Sequence, residues 1–282
     1  SKTGIEFTNK PLQKKLFGIL YYLYYYNGGG VATGDVNGDG LPDIYFTANN
    51  KGGNKLYINK GDFNFEDVTE STGVAGIADW CSGVTMGDVN GDGWLDIYVS
   101  AVSNVYGLAG HNMLYINNGK KADGTVSFTE KSADFGLSFS GLGTQAAFFD
   151  YDKDGDLDCY VLAHSRSPHA NIKDTVNRRL YDSLSGDRLY RNDLSTIGKF
   201  TDVSAQAGIY QSNLGYGLGL AVADFNNDGW EVVYVGNDFH ENDYYYLNNG
   251  DGTFKESGAD VFGHYSRFSM GNDAAHYNND GL

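Results

Sequence analysis

The chain is poor in proline, with 3 in 282 residues, and has only two cysteines, Cys81 and Cys159. From two thiols so far apart in sequence no disulfide framework or zinc cluster can be read; they read as small buried core residues, with a pairing in a secreted protein as the alternative. No run of 18 apolar residues occurs, so no helical membrane span is expected. Positive charge is scarce as well: 20 Lys and Arg stand against 36 Asp and Glu, a formal net charge of −16. Binding a polyphosphate needs a basic surface that releases counterions, which excludes nucleic acid and makes cations the natural partners. Familiar catalytic signatures are missing too. The chain has no Gly-x-Ser-x-Gly elbow, Walker loop or His-Glu-x-x-His motif, and its histidines (His111, His164, His169, His240, His264 and His276) are dispersed.

Glycine, by contrast, is abundant at 39 residues, and aromatic residues make up 15% of the chain. That balance describes a turn-rich chain of many short strands. An internal repeat runs through it. Gly34-Asp-Val-Asn-Gly-Asp-Gly-Leu-Pro-Asp43-Ile-Tyr-Phe is nearly copied by Gly87-Asp-Val-Asn-Gly-Asp-Gly-Trp-Leu-Asp96-Ile-Tyr-Val. Asp150-Tyr-Asp-Lys-Asp-Gly-Asp-Leu-Asp158 and Asp224-Phe-Asn-Asn-Asp-Gly-Trp-Glu-Val232 follow, and a fifth copy starts at His276. Each loop has a second echo, in Leu56-Tyr-Ile-Asn59, Leu114-Tyr-Ile-Asn117, Leu189-Tyr-Arg-Asn192 and Tyr245-Tyr-Leu-Asn248. A third echo begins at Phe65, Phe128, Phe200 and Phe254, and after the first three it runs on to Gly73-Val74, Gly136-Leu137 and Gly208-Ile209.

Short β-branched and aromatic runs between Gly/Asn/Asp clusters are strand and turn signals, four strands to a unit. In the first unit they fall near 29–34, 43–48, 55–59 and 64–68. Repeats of roughly 50 residues with four antiparallel strands suit radially stacked sheets, so the expected fold is an all-β propeller. It is read as one domain over 1–282, with blades at 27–74, 79–137, 142–209 and 214–261 and the start of a fifth at 266–282. Blade three carries an insertion at 165–186 containing His169, Arg178 and Arg179, with His164 at its edge.

The loops predict a metal site. In the first, side-chain oxygens recur at positions 1, 3, 5 and 9 as Asp35, Asn37, Asp39 and Asp43, and the carbonyl of Leu41 serves position 7. Glycine at position 6 permits the turn that wraps them round one point, and hard oxygen donors in that number suit Ca²⁺. Loop two offers Asp88, Asn90, Asp92, the Trp94 carbonyl and Asp96; loop three offers Asp150, Asp152, Asp154, the Asp156 carbonyl and Asp158. Carboxylates packed this closely repel unless a cation neutralises them. Loop four keeps Asp224, Asn226, Asp228 and the Trp230 carbonyl, but Val232 stands at position 9 and Glu231 comes one residue early, which predicts weak binding or none. An EF-hand would need a bidentate Glu at position 12, where these loops have Phe46, Val99, Val161 and Val235. The loops therefore close β-hairpins.

Three further segments are candidates for function. His240 is flanked by carboxylates in Asn237-Asp-Phe-His-Glu-Asn-Asp243, as an acid/base pair would be. Gly271-Asn272-Asp273 would set polar groups on an inner strand of blade five. The tract Tyr21–Tyr26 suits either carbohydrate stacking or an alternating strand that packs the ring.

Together these motifs resemble the FG-GAP/VCBS repeat family, best known from the propeller heads of integrin α chains. The Asp loops combined with Leu56-Tyr-Ile-Asn, Phe65-Glu-Asp-Val-Thr and Gly236-Asn-Asp-Phe look most like bacterial members of the cartilage-acidic-protein and ASPIC/UnbV group. The resemblance implies a propeller of about seven blades, completed by residues beyond Leu282 or by another protein. It also implies export to the extracellular space or the bacterial outer-membrane surface, with lipid anchoring through residues outside this chain. Calcium would be structural. The expected role is a binding, adhesion or complex-assembly module for a protein or glycan, with a polysaccharide-lyase-like enzyme as the alternative.

Overall fold

The computed structural model describes residues 2–14, 17–166 and 175–275. It is all-β, with four antiparallel four-stranded sheets, each a meander in chain order. Blade 1 comprises β1 (Val31–Gly34), β2 (Asp43–Phe46), β3 (Lys55–Asn59) and β4 (Phe65–Asp67). Blade 2 comprises β5 (Cys81–Gly87), β6 (Asp96–Ala101), β7 (Met113–Lys120) and β8 (Val126–Glu130). Blade 3 has β9 (Gly143–Phe149), β10 (Asp158–Ala163), β11 (Arg188–Asp193) and β12 (Lys199–Asp202), and blade 4 has β13 (Gly217–Ala223), β14 (Val232–Asn237), β15 (Tyr244–Asn248) and β16 (Phe254–Glu256). Two compact units result, Ser1–Gly143 and Thr144–Leu282.

Every Asp loop joins the first two strands of its blade, and the register follows from it: Gly34 pairs with Asp43 and Gly87 with Asp96, so the ninth loop residue opens the second strand. In the first unit Val36, Tyr45, Leu56 and Ile58 of blade 1 share a core with Val84, Ile97, Val99 and Tyr115 of blade 2. The second unit repeats this with Phe149, Tyr160, Leu162 and Leu189 against Val233, Val235, Tyr244 and Tyr246. A single blade cannot hide both faces of its sheet, and stacking on a neighbour gains about 1.5–3 kcal/mol for each large side chain fully buried.

Buried tyrosines bring a hydroxyl into these cores, where an unpaired one costs about 1–3 kcal/mol. The Tyr244 hydroxyl has no partner among the described residues, but others are paired in a repeated way. The Tyr45 hydroxyl donates to the Val74 carbonyl and accepts from Asn54; Tyr98 does the same with Leu137 and Asn112. Asp187 and Asp243 stand in place of the two asparagines in the second unit, accepting from Tyr160 and Tyr234.

Short helical turns follow three of the fourth strands: α1 (Thr69–Thr72), α3 (Ser204–Ala207) and α4 (Gly258–Val261), while α2 (Leu194–Ile197) links β11 to β12. These were not expected from the sequence. The signal for α1 and α3 is Asp-x-Thr/Ser in the Phe echo, where Asp67 and Asp202 accept the N–H groups of Thr69 and Ser204 that open the turns.

Two expectations are corrected. The tract Tyr21–Tyr26 is a run of turns, not an alternating strand. Tyr22, Tyr24 and Tyr25 are buried; Tyr22 and Tyr25 pack around Phe17 and Trp80, which rewards a compact coil more than an extended ladder. Gly271, Asn272 and Asp273 form no strand among the described residues; Asn272 instead packs into the space left by Gly219 and Gly236. The fifth loop from His276 lies outside the described residues, as does His169.

Candidate metal centre

In each Asp loop the chain turns left-handed at position 6, at Gly40 (φ 84°), Gly93 (φ 90°), Gly155 (φ 98°) and Gly229 (φ 87°). Glycine adopts that conformation without penalty. Position 4 is left-handed as well: Gly38 and Gly91 occupy it in the first unit, Lys153 and Asn227 in the second.

The turn folds the side chains inward. Asp35 accepts the N–H groups of Asp39 and Gly40, Asn37 also accepts from Asp39, and Asp39 accepts from Leu41. Loop two repeats this bond for bond through Asp88, Asn90 and Asp92, the last receiving the Trp94 N–H. In loop three Asp150 accepts from Asp154 and Gly155, and Asp154 from Asp156. Loop four keeps the pattern with Asp224, Asn226, Asp228 and Trp230. These bonds hold the first, third and fifth side chains over one loop.

The ninth residue is a buried clasp. Asp43 accepts the Val36 N–H at 2.9 Å and the Asn59 N–H at 2.8 Å, so one carboxylate ties the loop to the third strand. Asp96 does this for Val89 and Asn117, and Asp158 for Tyr151 and Asn192. All three are fully buried. Burial pushes them well above the usual carboxylate range, Asp43 to about 6, Asp96 to about 7 and Asp158 to about 8, against the opposing pull of the two N–H groups. Blade four has Val232 there and no such clasp.

Sequence reading did not foresee the role of the asparagine in the Leu-Tyr-x-Asn echo. Its N–H meets the clasp, and its side chain bonds the residue before the clasp, Pro42, Leu95 or Leu157. The echo was visible; only the register showed what it was for.

Loop three gathers the most charge. Oxygens of Asp150, Asp152 and Asp158 lie within 4.8 Å of one another. Buried oxygens of Asp152 and Asp156 have no hydrogen-bond partner. Burial and the neighbouring carboxylates raise both groups, Asp156 to about 6. Asp152 belongs to the converging set, and its unpartnered oxygen among like charges fits a hard divalent cation. Among loops one, two and four no comparable group of three carboxylates is gathered among the described residues, because Asn37, Asn90 and Asn226 replace one charge.

The other candidates resolve differently. His240 is exposed, while Glu241 pairs with Arg178 and Asp243 accepts from Tyr234, Asn237 and Ser269, so these two carboxylates are engaged by other groups. Arg178 and Arg179 lie over the Tyr210 ring, which anchors the described end of the insertion. His164 is fully buried and stacked on Tyr216, and burial lowers its pKa to about 4. Cys81 and Cys159 are both buried free thiols.

A profile described as FG-GAP-like repeat matches residues 35–99 and 224–282. The chain belongs to the FG-GAP-like repeat family. It is similar to cartilage acidic protein 1 of Xenopus tropicalis, 31% identical over 73% of this chain, and to the mouse protein, 30% identical over 73%. The human protein is 29% identical over the same share. This FG-GAP-like chain spans 28% of the length of the Xenopus and mouse relatives and 27% of the human one. A solved Agrocybe aegerita lectin, described as recognising non-reducing terminal N-acetylglucosamine, aligns with 80% of this chain and 50% of its own at 20% identity and a TM-score of 0.42.

Proposed function

We propose that this FG-GAP-like chain is an exported β-propeller module that holds Ca²⁺ in its blade hairpins and presents blade surfaces to a protein or glycan partner at the cell surface, an outer-membrane complex among the settings it suits. The observation that carries the calcium reading is loop three, where three carboxylates converge within 4.8 Å and a buried oxygen of one of them, Asp152, has no partner. Loops one and two repeat its frame with one charge fewer. Loop four lacks the ninth carboxylate and binds weakest. The ion would neutralise the carboxylates and brace the hairpin; no step of a reaction is needed.

The binding role draws support from the family and from an exposed apolar patch. Leu20 is 90% exposed and Tyr26 73%, and with Ile19 and Tyr21 they line a hollow of about 360 Å³. Contiguous exposed apolar side chains mark interaction sites.

Thermal melts test the calcium reading. A site filled at 100 times its Kd stabilises the fold by about 2.7 kcal/mol, so calcium should raise Tm by several degrees, a chelator should remove the gain, and Mg²⁺ should not restore it. Identical melts in calcium and chelator would overturn the proposal.

A further inference from the structure

At the end of blade 3, Gly208 turns left-handed directly after α3 (φ 82°) and lies against β16, so that a Cβ there would sit 2.8 Å from the Phe254 carbonyl oxygen. Two residues later the Tyr210 N–H donates to the Tyr246 hydroxyl at 3.1 Å. The start of the chain repeats both contacts on blade 1. Gly4 is left-handed (φ 80°) and so close to the Phe65 carbonyl that any Cβ would collide with it. The Glu6 N–H then donates to the Tyr57 hydroxyl at 3.2 Å. Phe65 and Phe254 open the fourth strands of their blades, and Tyr57 and Tyr246 follow the first residue of their second echo. Thr3-Gly4-Ile5 thus stands on blade 1 as Ala207-Gly208-Ile209, the closing segment of blade 3, stands on blade 4.

The same face of blade 1 has a second feature. Blade 2 covers its other face through Trp94, packed on Gly38, and through Leu95 and Met86, packed on Gly34. Asn117 of blade 2 adds a bond to the Val36 carbonyl at 2.8 Å, and Asn248 of blade 4 makes the matching bond to Tyr151 of blade 3. The equivalents of these residues on blade 1 are Leu41, Pro42, Thr33 and Asn59. They line an open hollow of about 530 Å³ with Ile44 and Phe63. Phe63 is 80% exposed although its backbone is held left-handed at φ 56°.

We propose that this face of blade 1 is a blade–blade interface, that its occupant is a further FG-GAP-like blade of the same polypeptide, and that residues 3–7 are the closing segment of that blade. The occupant sets a small residue of its Asp loop under Leu41, as Gly38 lies under Trp94, and offers a second-position carbonyl to the Asn59 side chain. Length is consistent with this: the matched region is 28% of cartilage acidic protein 1 from Xenopus tropicalis. Edges and faces of propeller sheets are protected by radial neighbours, and this face is built as the others are. Nothing in this inference depends on metal in the loops.

Cys81 and Cys159 are buried, so an introduced thiol can be followed by maleimide labelling of the native full-length protein with the modified peptide quantified by mass spectrometry. Thr33→Cys should label at least tenfold more slowly than Ile197→Cys, an exposed position on α2, and should remain slow on dilution to nanomolar concentration. Equal rates would overturn the proposal. So would protection that vanishes on dilution, which would identify a second copy as the occupant. Phe63→Cys reads the same face should Thr33→Cys not fold. Adding Gly4→Ala should speed labelling at Thr33→Cys; an unchanged rate would sink the assignment of residues 3–7.

Discussion

The two units solve the same problems with different residues. In the first, Asn54 and Asn112 hold the buried tyrosines; in the second, Asp187 and Asp243 do. Where Gly38 of blade 1 lies under Trp94 of blade 2, Lys153 of blade 3 places its ammonium 4.2 Å from the ring centroid of Trp230 of blade 4. The first unit is thus neutral and unstrained at places where the second is charged and, at Lys153, left-handed with a side chain. One architecture accepts both because all four blades share the meander and three of them the clasp, and the fold depends only weakly on these exchanges.

The clasp should give the largest effect. Asp158→Ala orphans the N–H groups of Tyr151 and Asn192 at about 1–3 kcal/mol each, and on that scale Tm in saturating calcium should fall by on the order of 10 °C. Asp96→Ala in the first unit should match it in calorimetry. If one variant melts like the parent, the clasps of the two units are not equivalent.

A smaller, pH-dependent difference comes from Asp187. Burial raises it to about 7, beside Tyr160 and Arg188. Its folded-state pKa lies above the unfolded value, so its contribution is whole below about pH 4 and is lost as pH rises through 7. Asp187→Asn makes the second unit like the first. It should flatten the decline in stability between pH 4 and 7 measured by urea unfolding; an unchanged slope would place the titration elsewhere.

The smallest effect is expected at position 4. Lys153→Gly relieves a left-handed residue, worth about 1 kcal/mol, and removes a cation–π contact worth about 0.5–1 kcal/mol, so denaturation midpoints should barely move. Gly38→Lys has no such balance, because a Cβ there would already sit 3.1 Å from Trp94, and it should destabilise by about 1 kcal/mol or more. Equal shifts in both variants would remove the distinction between the units.

The blades were legible because a repeat leaves its pattern in sequence: the Asp loop, the Leu-Tyr-x-Asn echo and the Phe echo each recur with their strands. The first unit's strands, expected near 43–48, 55–59 and 64–68, are found at Asp43–Phe46, Lys55–Asn59 and Phe65–Asp67. The Tyr21–Tyr26 tract misled because an aromatic run carries no period of its own; whether it extends or coils depends on Phe17 and Trp80, one of which lies far along the chain. The partners of the carboxylates near His240 were not legible for a related reason, since Arg178 and Tyr234 engage Glu241 and Asp243 from other elements.

Residues one to nine of each loop determined by themselves that the backbone turns left-handed at the glycine and folds oxygen atoms inward, because those bonds span at most five positions. Only the tertiary structure decided that the ninth carboxylate is sealed from water between its own loop and the third strand, and that Gly4 belongs with Gly208. Those facts depend on which strand lies beside which, and pairing between distant segments is set by packing, to which no local run of residues holds the key.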